Sequence, residues 1–272
     1  MNDSLVAPSE ILAAIRAGQS IEHLDLYRVD LRDVDLTGAH LKGLNSIGAN
    51  FGGANLSGAD LSGADLRGVN FTDANLTGAN LANAYLNRAL FYNANLTNTD
   101  LTGAKLQVAR YDRHTIWTEG FGYKSLGAIG PNAQLNGAYL NTANLRDVDL
   151  SGANLLGSYL SGADLTGANL QNARLSGSTL HRAFLTGASL RNASLNGVNL
   201  QGADLRAADL TDIKIEHVES IAGADFSQVQ GLSDNIRSML LGRSAAELDT
   251  WNAFTRRTTR QSLNSRSSIA KF

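Results

Sequence analysis

Most of this chain repeats a five-residue unit, and a period of five admits very few folds. The clearest stretch, Ala54–Gly68, reads Ala-Asn-Leu-Ser-Gly-Ala-Asp-Leu-Ser-Gly-Ala-Asp-Leu-Arg-Gly, three copies in succession. Call the large apolar residue position i. It recurs every five residues from Leu26 to Tyr111 and again from Leu135 to Ile215, giving 18 units and then 17. Position i is large and apolar in 34 of them, Ser46 being the exception. Position i−2 is Ala in 24, and i+2 is Gly, Asn or Asp in 27. A helix cannot use this pattern, because a step of five walks around its 3.6-residue turn. Residues i−2 and i are two apart on extended backbone and point to one side. Position i then fills an interior, i−2 stays small to leave room, and i+2 supplies a corner with φ > 0, which Gly, Asn and Asp tolerate. Positions i−1, i+1 and i+2 face solvent.

A short strand and a corner, repeated, coil the chain. Phe51, Phe71 and Phe91 lie 20 residues apart at position i, with Leu31 before them and Tyr111 after. Four units per turn would stack all five in one interior column, where aromatic rings pack well. Coils would then sit ~4.8 Å apart, and about nine coils would make a rod on the order of 45 Å long. At Ser46 the partner at i−2 is Leu44 and not Ala. Large and small have changed places, roughly conserving core volume, so a local rearrangement is expected and not an interruption.

The units at Ala59–Gly63 (Ala-Asp-Leu-Ser-Gly) and Ala74–Gly78 (Ala-Asn-Leu-Thr-Gly) resemble the pentapeptide repeat proteins, and the resemblance covers about three quarters of the chain. It implies an all-β solenoid, a right-handed quadrilateral β-helix. The handedness comes from the resemblance alone. Short α-helical caps are expected at both ends, since an open coil exposes core and unpaired backbone.

The remainder divides around the repeat. Residues 1–23 read as an N-terminal helical cap, with Ser9 as its start, Ile11, Leu12 and Ile15 on one face and Gly18 as its end. The first block spans 24–111. The repeat fails over 112–132 and returns in a different phase, so this is a true insertion; it carries Trp117, Phe121 and Tyr123 among glycines. It resembles an insertion in cyanobacterial members of the family. Its aromatics either plug the coil where the ladder breaks or form a partner-binding loop, the plug being the favoured reading. The second block spans 133–230, with a one-residue slip before Ala224-Asp225-Phe226. Residues 231–255 read as a C-terminal helical cap. Its first helix is expected over Ser233–Leu241, and Ser244-Ala-Ala-Glu247 is a capping box for a second, with Leu248, Trp251 and Phe254 inward. Residues 256–272 are basic and rich in Ser and Thr, which predicts disorder.

Chemistry is hard to find. Cysteine is absent, so thiolate and disulfide chemistry are excluded. Five histidines are scattered without a zinc spacing. Asp112, His114 and Glu119 are the one local mixture of base and carboxylates, with no pocket implied. No cofactor, metal or catalytic residue is expected, and neither a signal peptide nor a membrane-length apolar run is evident, which reads as a cytoplasmic protein. The exterior does offer recognition surface. Tyr139 and Tyr159 occupy outward position i−1 one coil apart and should stack, either as an interface or as cross-coil packing.

The leading expectation is a non-enzymatic scaffold or interaction module for another protein, with a homodimer through one end of the β-helix as a further option and neither nucleic acid nor membrane as a partner. Some relatives mimic duplex DNA and bind DNA gyrase or other type II topoisomerases. Mimicry needs a dense acidic surface, and residues 24–230 hold 19 Asp plus Glu against 15 Lys plus Arg. Duplex DNA carries one charge per ~1.7 Å, so a ~45 Å rod would need on the order of 25. An enzyme centred on the insertion is the remote alternative.

Overall fold

The computed structural model describes residues 10, 11, 13, 14, 17 and 24–265. The chain forms two compact units, Met1–Ile129 and Gly130–Phe272. In each unit the backbone coils with a 20-residue period. Parallel bridges join Asp30 to Asn50, Asn50 to Asn70 and Asn70 to Leu90 in the first unit, and Gln134 to Asn154 and Asn154 to Arg174 in the second.

One unit shows why the repeat has the composition it has. Around Phe51, Asn50 donates its N–H to Val29 O of the preceding coil (2.9 Å), and Phe51 donates to Asn70 O of the next (2.8 Å). Gly53 donates to Thr72 O (2.8 Å), and Ala54 closes the corner onto Phe51 O (3.0 Å). The fifth donor, Gly52 N–H, has no backbone partner in this scheme and goes to Asn50 Oδ1 (3.1 Å). The same bond recurs at Ser57, Ser62, Thr72 and Thr77, each donating to the Asn or Asp two residues before it. Every backbone N–H of the unit is therefore satisfied, four by the ladder and corner and one by the carboxamide or carboxylate at i−1. The Asn side chains also ladder, Asn70 Nδ2 donating to Asn50 Oδ1 at 2.9 Å.

The corner residue at i+2 is left-handed in every unit but the last of each block, as in Gly58 at φ 67°. Several corners are not Gly, including Val108 (φ 63°) and Ala207 (φ 56°). A Cβ in this region costs roughly 1–2 kcal/mol. A Cβ on Gly58 would meet nothing within 4 Å, so the cost of Gly58→Val is conformational and not steric. Gly58→Val is expected to lower stability by about 1–2 kcal/mol, while Ala207→Gly raises it by roughly 0.5–1 kcal/mol, both read from thermal unfolding.

The interior bears out the column. Phe51 and Phe71 stack with centroids 5.6 Å apart, Phe71 and Phe91 at 5.5 Å, and all three are fully buried. At the exceptional unit both Leu44 and Ser46 are fully buried while Asn45 still bridges Asp65, so the exchange of large and small leaves the register intact. At the start, Ile11 is buried in the core of the first unit and Ala14 packs against it, within a helical segment that includes Glu10 and Ala13. Ser9, Leu12, Ile15 and Gly18 of the expected helix lie outside the described residues.

The one-residue slip of the second block is a bulge. Strand β1 (Val198–Asn199) pairs in parallel with β2 (Val218–Ser220), Val198 with Val218 but Asn199 with Ser220, leaving Glu219 as the extra residue. The register then continues, Asp204 bridging Asp225 and Asp209 bridging Gln230.

Three helices follow: α1 (Asp234–Leu241), α2 (Ala245–Leu248) and α3 (Thr259–Asn264). Ser233 accepts from Ile236 N–H and Ser244 from Glu247 N–H, as N-caps do. The Glu247 carboxylate leaves the capping box and accepts instead from Ile221 N–H (3.1 Å) and from Arg243. Two expectations are corrected. Residues 256–272 are not a disordered tail through their described part, because α3 lies there, opened by a full capping box between Thr258 and Gln261, with Thr259, Ser262 and Leu263 buried. Trp251 and Phe254 do not point inward; they are 62% and 54% exposed. α2 ends at Leu248, so Trp251 is not on a helical face but on a short extended segment bridged to Thr258. The buried residue here is Asn252.

Side chains of this region bond the backbone carbonyls of the last coils. Arg243 donates to Val218 O (3.1 Å) and Glu219 O (3.0 Å), Thr259 to Ile221 O (2.9 Å), and Asn252 Nδ2 to Gly202 O, Ala203 O and Gly223 O (3.2, 3.3 and 2.8 Å).

Candidate interaction surfaces

The insertion supplies three of the aromatics singled out by sequence, and the structure brings all three together. The chain still ladders through it: Ile116 bridges Asn95, and Ile129 bridges Arg110. These bridges hold the segment between them over the core of the first unit. Trp117 continues the phenylalanine column, its ring 5.4 Å from Phe91, where sequence spacing had placed Tyr111. Tyr111 meets Trp117 and Tyr123 edge-on instead (5.8 and 5.1 Å). Tyr123 stacks on Trp117 at 4.6 Å and 12°, and Phe121 tilts against it at 6.0 Å. Trp117, Phe121 and Tyr123 are thus half-buried and packed against the core. Ile116 and Leu126 are the insertion's exposed apolar residues, at 54% and 38%. The geometry is that of a plug, with its aromatic surface largely spent inside the first unit.

Hydrogen bonds fix the plug's entry. Thr115 Oγ1 donates to Phe91 O (2.6 Å), and Thr118 Oγ1 to Leu96 O (2.8 Å). Burial pushes the Asp112 carboxyl up. Hydrogen bonds from the N–H groups of Asn93, His114 and Thr115 more than offset this, holding its pKa below the ordinary value. Asp112 is therefore a local staple that favours its ionised form. His114 and Glu119 are exposed, so the three residues do not share a pocket. Among the described residues no cluster of His, Cys, Asp or Glu could hold a metal ion, and no helix is long and apolar enough to cross a membrane.

Tyr139 and Tyr159 behave differently. They bridge one another in the second unit, and their rings lie 4.7 Å apart and 3° from parallel. Tyr139 is 80% exposed and Tyr159 43%. Most units carry Asn or Asp here to bond the N–H of i+1; tyrosine gives that bond up. Beside Tyr159 the lost acceptor is replaced from the neighbouring coil, Asn141 Oδ1 accepting from Ser161 N–H at 2.9 Å. Stacking returns about 0.5–1.5 kcal/mol, yet one whole ring face remains in water. A second exposed aromatic group went unread in the sequence as surface: Phe254 packs on Phe184 at 5.0 Å beside the exposed Trp251.

Comparison with known proteins follows the repeat. The model described as Pentapeptide repeats matches in eight copies, over residues 30–73, 70–107, 143–182 and 173–212, more than half of the chain. Among solved structures, a pentapeptide repeat protein of Nostoc, alr5209, is 34% identical, covering 45% of this chain and 93% of its own, with a TM-score of 0.38. HetL, a Nostoc pentapeptide repeat protein involved in heterocyst differentiation regulation, is 31% identical over 79% of this chain and 95% of its own, with a TM-score of 0.29. QnrB1, a plasmid-mediated fluoroquinolone resistance protein, is 19% identical over 71% of this chain and 88% of its own, with a TM-score of 0.31. At these scores the likeness lies in the repeat and not in a whole-chain superposition. No curated protein matches.

Proposed function

This chain belongs to the pentapeptide repeat family, and from that premise we propose that it is a non-enzymatic interaction module, a coiled scaffold that presents side chains to another protein. The observation that carries the reading is the Tyr139–Tyr159 stack. Two large rings are held in register by a backbone ladder, one of them 80% exposed, where the local hydrogen-bond scheme favours Asn or Asp. Rigid tyrosines lose little side-chain entropy on binding and are enriched at interface centres.

The ends fit the same role. Arg243 and Asn252 bond Val218 O and Gly223 O, Thr259 of helix α3 adds a second bond to Ile221 O, and Ile11 is buried at the start of the first unit. In our reading these are caps that keep the modules from pairing edge to edge. A DNA-mimic role is the weaker reading, because the coiled region carries a net charge of only −4, from 19 acids and 15 bases.

The test is affinity capture from the native host with the intact protein and with the Tyr139→Ser/Tyr159→Ser double variant. A partner whose recovery falls about tenfold or more in the variant, with unfolding temperature little changed, supports the proposal. An identical set of partners for both proteins contradicts it. A gyrase supercoiling assay that responds to the protein would favour mimicry instead.

A further inference from the structure

A groove on the first unit has the chemistry of an anion receptor. It has a volume of about 460 Å³ and is lined by Arg28, Arg67 and Arg88 with Tyr27 and Ile47, over a floor of Gly48 and Gly68. Among the described residues no carboxylate lines it. Arg67 is paired with Asp65 (2.7 Å). Arg28 and Arg88 form no ion pair among the described residues, and the Arg28 guanidinium lies 5.8 Å from the Tyr27 ring centroid.

The groove follows from the coil. Positions 28, 48, 68 and 88 form one corner column, at i+2 of successive coils. The two middle corners are glycine, and a Cβ on Gly68 would meet nothing within 4 Å. The outer two are arginines in the left-handed region, at φ 56° and 62°. Arginine gains nothing from that conformation, whereas glycine takes it freely. The two arginine corners therefore stand three coils apart along the column, ~14 Å, with the Arg28 Cγ lying 3.4 Å from where a Gly48 Cβ would be and the Gly68 corner open.

We propose that this groove binds an extended acidic segment of a partner protein, two carboxylates four residues apart engaging Arg28 and Arg88. Residues i and i+4 of an extended chain lie on one side and span ~13 Å, which matches the column. The residue midway between them faces the same side and can rest against Ile47. Guanidinium groups take carboxylates in bidentate fashion. The backbone N–H groups of Arg28, Gly48, Gly68 and Arg88 are all committed to the next coil, so the groove lacks the amide nest that favours phosphate. This surface lies in the first unit and stands independently of Tyr139 and Tyr159.

The experiment uses the full chain and a fluorescein-labelled peptide, Glu-Thr-Leu-Thr-Glu within neutral Gly-Ser flanks, read by fluorescence polarisation. The peptide is expected to bind, to weaken in 0.5 M salt, and to lose at least tenfold when both Glu are Gln. Arg28→Gly/Arg88→Gly is expected to weaken binding at least tenfold while leaving the unfolding temperature unchanged or raised, since it relieves two strained corners. Arg28→Gln/Arg88→Gln should weaken binding equally. A merely structural role for these arginines would lower the unfolding temperature of both variants. Equal binding of the Gln peptide, or unchanged binding by the double variants, would overturn the proposal. So would a ten-residue oligothymidylate that competes more tightly than the acidic peptide, which would mark the groove as a nucleic-acid site.

Discussion

Phe71→Ala is expected to destabilise the first unit by about 3–5 kcal/mol. Phe71 is fully buried between Phe51 and Phe91, at 5.6 and 5.5 Å. Truncation removes its transfer free energy and both ring contacts at once. The site cannot collapse to fill the void, because the coil spacing above and below is set by backbone ladders and not by side chains. Repeat arrays need not unfold in one step, so the readout should be local. The chain has two tryptophans, Trp117 and Trp251, one in each unit. In a Trp251→Phe background, Trp117 fluorescence follows the first unit alone during urea unfolding. A loss below about 1 kcal/mol would mean that the ring column is not a rigid core.

Asn252→Ala is expected to cost about 3 kcal/mol and to act on the second unit. Asn252 is 1% exposed and uses both ends of its amide. Nδ2 donates to Gly202 O, Ala203 O and Gly223 O, and Oδ1 accepts from Phe254 N–H (2.8 Å) and Thr255 N–H (3.0 Å). Alanine strands buried groups on both sides, and each unmade bond carries a desolvation cost. Asn252→Asp keeps the acceptor but loses the donors, so it should be comparably destabilising. Thermal unfolding followed through Trp251 reads this directly. A variant as stable as the parent would show that the carbonyls find other partners and that this segment merely rests on the coil.

The periodic part of the chain was the legible part, for a physical reason: a solenoid repeats its environment, so each residue is read 35 times over. The Phe51–Phe71–Phe91 column, the exchange at Leu44 and Ser46, and the slip before Ala224 all follow from counting in fives and twenties. Where the period stops, the reading weakened. The column was expected to continue through Tyr111, yet Trp117 takes its place. The insertion's register is set by three-dimensional bridges at Ile116 and Ile129 that no spacing reveals. The Asn and Asp at i−1 have their cause in the N–H of i+1, which has no backbone partner in the coil and bonds the i−1 side chain instead. Helix α3 has one sequence signal, the Thr258-x-x-Gln261 capping box followed by Leu263, set among Ser, Thr and Arg residues of the kind that predict disorder. The exposed pair Tyr139–Tyr159 was legible because column membership is arithmetic. The arginine groove is equally a matter of column membership, Arg28 and Arg88 being three coils apart in one column, and a net charge taken over the whole chain hides it.

The 20-residue coil is tested most directly by pairwise cysteine cross-linking, which the absence of native cysteine makes clean. Ala82 and Thr102 occupy the same position on adjacent coils, Asn83 N–H bonding Thr102 O at 2.8 Å. The double variant Ala82→Cys/Thr102→Cys should oxidise quickly to one intramolecular disulfide. Ala82→Cys/Thr97→Cys and Ala82→Cys/Gln107→Cys, with spacings of 15 and 25, should remain reduced under the same conditions. Equal oxidation of all three, or faster closure at 15 or 25 than at 20, would contradict a coil of four units.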